Sequence, residues 1–275
     1  MTAQAIEVFA PAKINLTLHV TGQRPDGYHL LDSLVMFADL GDRVTVARAS
    51  EMSLRVTGPM AAGVPEDARN LCWKASEAFG EPVSITLDKH LPAAAGIGGG
   101  SSDAAAVLRG MEQLFNRPSG VHLPDLGADL PVCMAAQAAR MQGIGEKVSP
   151  LVMEPFPALL VNPRVEVPTP AVFRALGQKD NAPMTPTPET GGPMAALDWL
   201  AEQRNDLQAP AIAVQPVIAE VLELLGGLAG ARLARMSGSG ATCFALFGTR
   251  AAAESAAAVL SAARPGWWVR PTTLR

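Results

Sequence analysis

The sequence predicts an α+β protein with one large or two moderate domains. Two observations favour this class: the chain has 275 residues, of which 48% are hydrophobic, and strand-like and helix-like segments are mixed along its length. Three prolines lie close together in VSPLVMEPFPALLV, which begins at Val148, and a fresh apolar strand follows them. Because clustered prolines are typical of linkers, we predict domains at residues 1–154 and 155–275.

The first half is predicted to open with strands and to continue with both helices and strands. Residues 6–20 alternate apolar and polar side chains around Pro11, which predicts an edge, a bulge or a break there. A Pro-Asp-Gly turn at 25–27 precedes strand-like residues 33–49. The remaining predicted elements are helices at 70–80 and 104–115, a strand from Val83 to near Pro92, and a helix within 125–140 despite Pro131.

The second half predicts helices on one face of an antiparallel sheet. Residues 178–194, QKDNAPMTPTPETGGPM, are rich in Pro, Thr and Gly and are expected to form an exposed, mobile linker. The elements expected after it are a helix at 216–228, a strand at 231–236, a tight SGSG loop, a strand at 241–247 and a helix at 251–263. This order of elements fits an α+β arrangement.

Charge and composition exclude several classes of function. The net charge of −4 with scattered Lys and Arg gives no basic stripe, which argues against a nucleic-acid partner. The N-terminal residues lack a secretory signal pattern, and no run approaches eighteen uninterrupted apolar residues, so we expect a cytoplasmic protein without a membrane partner. Three widely spaced cysteines without a CxxC pair predict small buried hydrophobes rather than disulfides or a zinc site.

The stretch LPAAAGIGGGSSDAAAVL, residues 91–108, is the strongest functional signal in the chain. It follows a predicted strand, and Ser101, Ser102 and Asp103 are residue types of a helix N-cap and first turn. A flexible turn is one interpretation of so many glycines. However, a glycine loop that leads into a helix N-terminus presents free N–H groups and the positive end of the helix dipole, which favours phosphate binding.

The glycine stretch does not match the common phosphate-binding patterns. No lysine follows the glycines as a Walker motif requires, and Ser101 stands where a dinucleotide motif would need a third glycine. The H-R-D and D-F-G motifs of protein kinases are also missing. The stretch is therefore another kind of phosphate loop.

Three separated segments resemble the three motifs of the GHMP kinase superfamily. They are PAKINLTL with GYHLLDSL, then LPAAAGIGGGSSDAA, and finally MSGSGATCFALF, and the resemblance runs in order from about Ala10 to Phe247. It implies a two-domain α+β and α/β fold, with an N-terminal ribosomal-protein-S5-like α/β domain and a C-terminal ferredoxin-like α+β domain. It also implies an active site in the cleft between these domains, and ATP as the phosphoryl donor.

Two further segments indicate one branch of this superfamily. RPDGYH and LGADLP resemble members that phosphorylate the 2-hydroxyl of a cytidine diphosphate-linked methylerythritol, in the non-mevalonate route to isoprenoid precursors. Two alternatives remain open: a kinase for homoserine, mevalonate or a sugar, and a non-catalytic nucleotide-binding relative. The RPDGYH segment argues against a kinase for a simpler alcohol. The presence of both Lys13 and Asp129 argues against a non-catalytic relative, because nucleotide binding alone needs neither residue.

Lys13 and Asp129 match the catalytic positions of the family. The resemblance makes Asp129, within LGADLP, the catalytic aspartate and Lys13, within PAKINL, the lysine beside it. An alcohol loses its proton as it attacks the γ-phosphorus of ATP, so a carboxylate within hydrogen-bond reach can accept that proton. A nearby ammonium favours the charged carboxylate. Taken alone, either residue would be an ordinary surface charge.

The resemblance also implies the residues that hold the two substrates. The expected ATP-binding residues are Asn70, Lys89, Pro92, Ala93, Ala94, Ala95, Gly96, Ile97, Gly98, Gly99, Gly100, Ser101 and Ser102. The expected residues for the phosphoryl acceptor are Asn15, Tyr28, His29, Thr169, Phe173, Gly238, Ser239 and Gly240. In this scheme Tyr28 and Phe173 stack on a cytosine whose edge is read by His29.

No protein ligand is assigned to a metal. Mevalonate-type members bring a glutamate to magnesium, and no position here matches it, so we expect Mg²⁺ to be held mainly through the ATP phosphates and water. The expected partner is a small-molecule substrate. The protein is expected to be a monomer or a weak homodimer.

Overall fold

The computed structural model describes residues 4–188 and 192–275. The strands of these residues are β1 (Ala5–Asn15), β2 (His19–Gln23), β3 (His29–Arg48), β4 (Ser53–Thr57), β5 (Val83–Asp88), β6 (Ala139–Gly143), β7 (Lys147–Pro150), β8 (Phe156–Asn162), β9 (Ala231–Met236), β10 (Cys243–Phe247) and β11 (Trp268–Leu274). Their helices are α1 (Leu71–Phe79), α2 (Gly99–Phe115), α3 (Leu123–Leu126), α4 (Leu130–Ala135), α5 (Thr169–Ala175), α6 (Gly192–Glu202), α7 (Gln208–Val214), α8 (Val217–Gly226) and α9 (Arg250–Ala263).

The described residues divide into two compact units that are discontinuous in sequence. The first unit contains 4–13, 40–93 and 98–136; the second contains 14–39, 94–97, 137–188 and 192–275. Strands β1 and β3 and the glycine stretch each contribute residues to both units. The predicted division of the sequence at residue 154 stays a prediction, because compact units and sequence domains are different descriptions of the chain.

The first unit combines a small sheet with helices α1 and α2. Strand β4 lies parallel to β5, and β5 lies antiparallel to residues 43–48 of β3. Alternate residues of β5 are buried, as expected for a strand with one face on a core. The predicted helix at 70–80 is confirmed with both of its ends. Asn70 caps α1 by accepting a hydrogen bond from the Cys72 N–H, and Gly80 ends it in the left-handed conformation.

The second unit contains the predicted helix-on-sheet layer. Its strands lie in the order β11, β8, β10, β9, and neighbouring strands are antiparallel. The order of strands and helices is that of a ferredoxin-like β-α-β-β-α-β unit. Alternate residues of β8 and β10, such as Leu159, Val161 and Ala245, share one hydrophobic core with Val221 of α8 and Leu260 of α9. The helices therefore cover one face of the sheet, and the predicted α+β arrangement is confirmed.

Two local predictions in the first half concern prolines. Strand β1 runs through Pro11 to Asn15 and pairs only with β3 among the described strands, so the edge position, one of the three outcomes predicted from Pro11, is confirmed. The helix predicted within 125–140 is also confirmed, as the short helix α4, which follows α3 and precedes β6. Pro131 lies in the first turn of α4, where a missing N–H costs nothing, and Ala136 ends that helix with a φ of +47°.

The segment predicted to be an exposed linker is packed over part of its length. Met184 is 4% exposed, its N–H donates to the Asp32 carboxylate at 3.0 Å, and its sulfur accepts the Thr17 hydroxyl. The Asn181 N–H donates to the Val20 carbonyl at 3.1 Å. A single methionine among prolines and threonines forms no periodic pattern, so no sequence signal predicts this packing. The linker residues 189–191 lie outside the described residues.

The three cysteines are buried, as predicted from the sequence. Cys72, Cys133 and Cys243 are free and pack as small hydrophobic residues do.

Among the residues that the structure describes, no helix has both the length and the apolar character needed to cross a bilayer.

Candidate active site

The glycine stretch joins β5 to α2 in a backbone conformation that favours glycine. Gly96 and Gly98 have φ angles of +72° and +62°, in the left-handed region that side chains disfavour. A Cβ atom on Gly98 would lie 3.2 Å from the Cβ and Cε atoms of Lys13, and one on Gly96 would lie 2.5 Å from the Ser237 carbonyl oxygen. The positive φ angle disfavours a side chain at both positions, and at Gly96 the close backbone contact excludes one as well.

Helix α2 begins at Gly99, ahead of the helix predicted at 104–115 and of its predicted N-cap residues 101–103, and has no side-chain cap. The first N–H groups of an α-helix have no partner inside the helix, and the dipole makes this end positive. The Ser102 hydroxyl donates to the Pro11 carbonyl at 2.7 Å, which links α2 to β1, and its expected role in ATP binding stays a prediction. The N-terminus of α2 thus presents backbone donors for an anion.

The second and third sequence motifs meet within the second unit. The Ser237 hydroxyl donates to the Gly96 carbonyl at 2.9 Å and accepts the Asn15 N–H at 3.0 Å. The Thr242 N–H donates to the Ala95 carbonyl at 3.1 Å. The SGSG loop is therefore more than a hairpin turn, because it holds the apex of the glycine stretch, residues 94–97.

Lys13 and Asp129 form an ion pair within the first unit. The Lys13 ammonium lies 2.8 Å from the Asp129 carboxylate, and the side chains are 5% and 34% exposed. Lys13 is near the end of β1, and Asp129 immediately precedes α4. Since the Lys13 side chain also lies against Gly98, this pair adjoins the N-terminus of α2.

Arg109 is a supporting residue that the sequence did not indicate. Its guanidinium donates to the Cys133 carbonyl at 2.7 Å and to the Phe9 carbonyl at 2.9 Å. It therefore ties α4, which follows Asp129, to β1, which carries Lys13. An isolated arginine within a helical pattern carries no sequence signal for such a role.

Two of the residues expected to recognise a base are stacked on each other. The rings of His29 and Phe173 have centroids 4.6 Å apart and an interplanar angle of 24°. The Nε2 atom of His29 is buried and has no partner among the described residues. Burial lowers the pKa of His29, and the charge of Lys179 lowers it further, which favours the neutral ring. Tyr28 is 60% exposed.

The other expected acceptor residues lie in one hydrogen-bonded region of the second unit. The Asn15 amide donates to the Ser33 hydroxyl at 2.8 Å, while its carbonyl oxygen is buried without a partner in the described residues. The hydroxyls of Thr169 and Ser239 are 2.7 Å apart. The Asn205 amide donates to the carbonyls of Met236 and Gly238 and so anchors the SGSG loop. Asn205 was not expected from the sequence.

Asn70 and Lys89, both expected near the nucleotide, have structural partners. Asn70 caps α1 and donates to the Pro65 carbonyl. The Lys89 ammonium is buried between two carboxylates, contacting Asp42 and lying 2.7 Å from Asp103. A role of these two residues in ATP binding stays a prediction.

The described residues contain no group of three or more His, Cys, Asp or Glu side chains placed to hold a metal ion.

The thiol of Cys133, close to Asp129, is not a nucleophile. Burial raises its pKa to about 12, and the Asp129 charge adds to the rise.

Comparison with known proteins agrees with the motifs. The GHMP kinases N terminal domain family matches residues 68–142, and the GHMP kinases C terminal family matches residues 191–265. The chain belongs to the GHMP kinases. The expected family and its two-domain fold are therefore confirmed.

Two curated relatives and one solved structure carry the name of the same kinase. A curated protein of Dinoroseobacter shibae named 4-diphosphocytidyl-2-C-methyl-D-erythritol kinase is 56% identical over 280 residues, which cover 99% of this chain and 96% of the relative. A protein of the same name from Cereibacter sphaeroides is 53% identical over 98% of this chain and 99% of the relative. A crystal structure of 4-(cytidine 5'-diphospho)-2C-methyl-D-erythritol kinase matches with a TM-score of 0.80 and 34% identity, over 98% of this chain and 99% of that one.

The buried Asp103 carboxyl predicts a stability that depends on pH. Burial raises the pKa of Asp103 to about 8, with Lys89 opposing the rise and Asp42 adding to it. The unfolded chain loses this proton near about pH 4, so between about pH 4 and 8 the folded state binds more protons than the unfolded state. The contribution of Asp103 to stability must therefore fall as the pH rises through this window.

The isosteric substitution Asp103→Asn removes this proton. We expect the melting temperature of the variant, relative to the native protein, to increase steadily from about pH 5.5 to about pH 8.5. Thermal unfolding followed by circular dichroism measures it, with the exposed Asp198→Asn as the control. A constant difference across this range would show that Asp103 does not hold a proton in the folded protein.

Proposed function

We propose that the protein transfers the γ-phosphoryl group of ATP to the 2-hydroxyl of 4-diphosphocytidyl-2-C-methyl-D-erythritol. The observation that carries this proposal is the Lys13 side chain, which contacts Asp129 on one side and Gly98 of the glycine loop on the other. This contact supports a proton acceptor beside a helix N-terminus that is suited to phosphate. The substrate is inferred from relatives that are more than 50% identical to this chain over nearly their whole length.

The two members of the ion pair have different roles in the proposed reaction. The Asp129 carboxylate, one-third exposed, accepts the proton of the attacking hydroxyl. The buried Lys13 ammonium orients that carboxylate and stabilises the negative charge on the transferring phosphoryl group. The backbone donors at the start of α2 hold the ATP phosphates while this happens.

In this proposal magnesium binds at the site together with ATP. The described side chains form no cluster that could hold the ion by themselves, whereas magnesium in kinases is bound largely through substrate phosphates and water. When bound, it neutralises charge on the phosphates. We assign no side chain of this protein as its ligand.

We propose that the cytidine part of the acceptor is bound by Tyr28, His29 and Phe173. The stacked rings of His29 and Phe173 form an ordered aromatic surface, and the exposed Tyr28 is free to cover a base. The unpartnered nitrogen of His29 and the unpartnered carbonyl oxygen of Asn15 are available to polar groups of the acceptor. Binding energy at the base then positions a distant hydroxyl for reaction.

Two alternatives have less support. A kinase for a simpler alcohol would have no need of the aromatic residues of RPDGYH and Phe173. A non-catalytic nucleotide-binding protein would have no need of the pair formed by Lys13 and Asp129. For the protein in the cell we propose a cytoplasmic location, with a monomer or weak homodimer as its state.

The role of Asp129 is tested by Asp129→Asn, which keeps the shape and removes the base. We expect the turnover rate to fall on the order of 10² to 10⁴-fold, while the affinity for ATP changes by no more than a few fold. ADP release with the cytidine-linked acceptor and equilibrium titration with ATP provide the two measurements. The control is Asp125→Asn, a nearby exposed carboxylate paired only with the exposed His122 in the described structure. Near-native turnover of the Asp129 variant would remove this residue from the mechanism.

The role of the aromatic residues is tested by Tyr28→Ala and Phe173→Ala. Loss of one stacking ring should lower kcat/KM for the cytidine-linked acceptor at least about tenfold, with ATP affinity unchanged. Steady-state kinetics measures this, and Phe9→Leu, an aromatic residue outside the proposed site, is the control. Tyr28 is largely exposed, so its variant keeps the test valid if the Phe173 variant is unstable. Unchanged kcat/KM in the Tyr28 variant would contradict base recognition.

A further inference from the structure

Three titratable side chains form a buried cluster at the base of the glycine loop. Lys89 directly follows β5, Asp42 is on β3, and Asp103 is inside α2. Their side chains are 4%, 0% and 3% exposed. The Lys89 ammonium hydrogen-bonds both carboxylates, at 2.7 Å in the case of Asp103. The cluster lies wholly within the first unit.

The cluster joins the two ends of the glycine loop. Lys89 precedes the loop and Asp103 follows it, and the hydrogen bond between them connects residues fourteen apart in sequence. Asp42 fixes the entry to the loop further, because its second oxygen accepts the N–H groups of His90 at 2.5 Å and Leu91 at 2.8 Å. A Cβ atom on Gly99 would lie 3.3 Å from the Lys89 ammonium, so the cluster lies directly beneath the first residue of α2.

The composition of the cluster is not explained by stability. Two carboxyl groups share one ammonium, and the Oδ1 atom of Asp103 is buried without a partner in the described residues. Burying a polar group without a hydrogen bond costs free energy, and buried ion clusters are weak stabilisers even when they are balanced. Lys89 and Asp42 alone would form a balanced pair. The third member, Asp103, therefore adds something other than stability.

We propose that Asp103 is a positioning residue, which acts through the Lys89 ammonium to hold the two ends of the glycine loop at the separation that phosphate binding needs. This inference rests on the proposed function, in which the glycine loop binds ATP. A loop ordered before binding loses less conformational entropy when the ligand arrives, so it binds more tightly. Asp103 hydrogen-bonds Lys89, whereas the proposed proton transfer belongs to Asp129 and Lys13. Its effect therefore belongs to ATP affinity rather than to the chemical step.

Two substitutions at Asp103 separate positioning from stability. Asp103→Ala removes the link between Lys89 and α2 but leaves Lys89 and Asp42 as a balanced pair. Asp103→Asn keeps an oxygen that accepts the Lys89 hydrogen bond. We expect the alanine variant to bind ATP about tenfold more weakly and the asparagine variant to recover most of this loss. At saturating ATP, kcat and the KM for the acceptor should stay within about twofold of the native values in both variants.

The experiment is an equilibrium titration with ATP and Mg²⁺, with steady-state kinetics and thermal unfolding of the same samples. Val46→Ala is the stability control, because Val46 is a fully buried residue on the same strand as Asp42. It should lower the melting temperature while leaving ATP affinity unchanged. An unaltered ATP affinity in Asp103→Ala, or an equal loss in Val46→Ala, overturns the proposal.

The same experiment distinguishes this inference from the proposed function. Gly98→Val places a side chain against Lys13 in the loop itself and should abolish ATP binding. If the native protein binds ATP, Gly98→Val does not, and Asp103→Ala binds as the native protein does, the positioning role alone is wrong. If Gly98→Val binds ATP normally, the loop is not the phosphate site and both proposals fall.

Discussion

A phosphate group reaches the backbone N–H groups of a protein only where no side chain blocks the approach. This steric constraint governs the stretch between β5 and α2, where Gly96 and Gly98 take left-handed conformations and pass close to other atoms. At Gly98 the neighbouring atoms belong to Lys13, and at Gly96 they belong to the SGSG loop. The lack of a side chain therefore lets Gly98 lie against Lys13 within the first unit and Gly96 lie against the SGSG loop within the second.

The protein uses lysine and aspartate in two different ways near this loop. Lys13 and Asp129 form a partly exposed pair in which the carboxylate is accessible to a substrate. Lys89 hydrogen-bonds the carboxyl groups of Asp42 and Asp103, and all three side chains are almost completely buried. Burial therefore distinguishes an accessible pair from a buried cluster, although the residue types are the same.

The sequence predicted the features that depend on local signals. Asn70 and Gly80 marked the ends of α1, the glycine stretch was placed correctly between a strand and a helix, and SGSG was predicted to join two strands. These features depend on backbone preferences of a few neighbouring residues. The family motifs added Lys13 and Asp129 as a pair, and their side chains do meet.

Other features depend on contacts between distant segments, which one sequence does not reveal. The partners of Lys89, the stacking of His29 on Phe173, the support from Arg109 and the packing of Met184 each join residues far apart in the chain. Transfer of phosphate to a cytidine-linked alcohol is the central claim. Phosphorus NMR of a mixture of the native protein, ATP, Mg²⁺ and one acceptor tests it most directly. With 4-diphosphocytidyl-2-C-methyl-D-erythritol, a new phosphomonoester signal from the acceptor should appear in step with ADP, and homoserine, mevalonate and galactose should give none. Formation of a phosphomonoester from one of those three, with no reaction of the cytidine-linked acceptor, would contradict the claim.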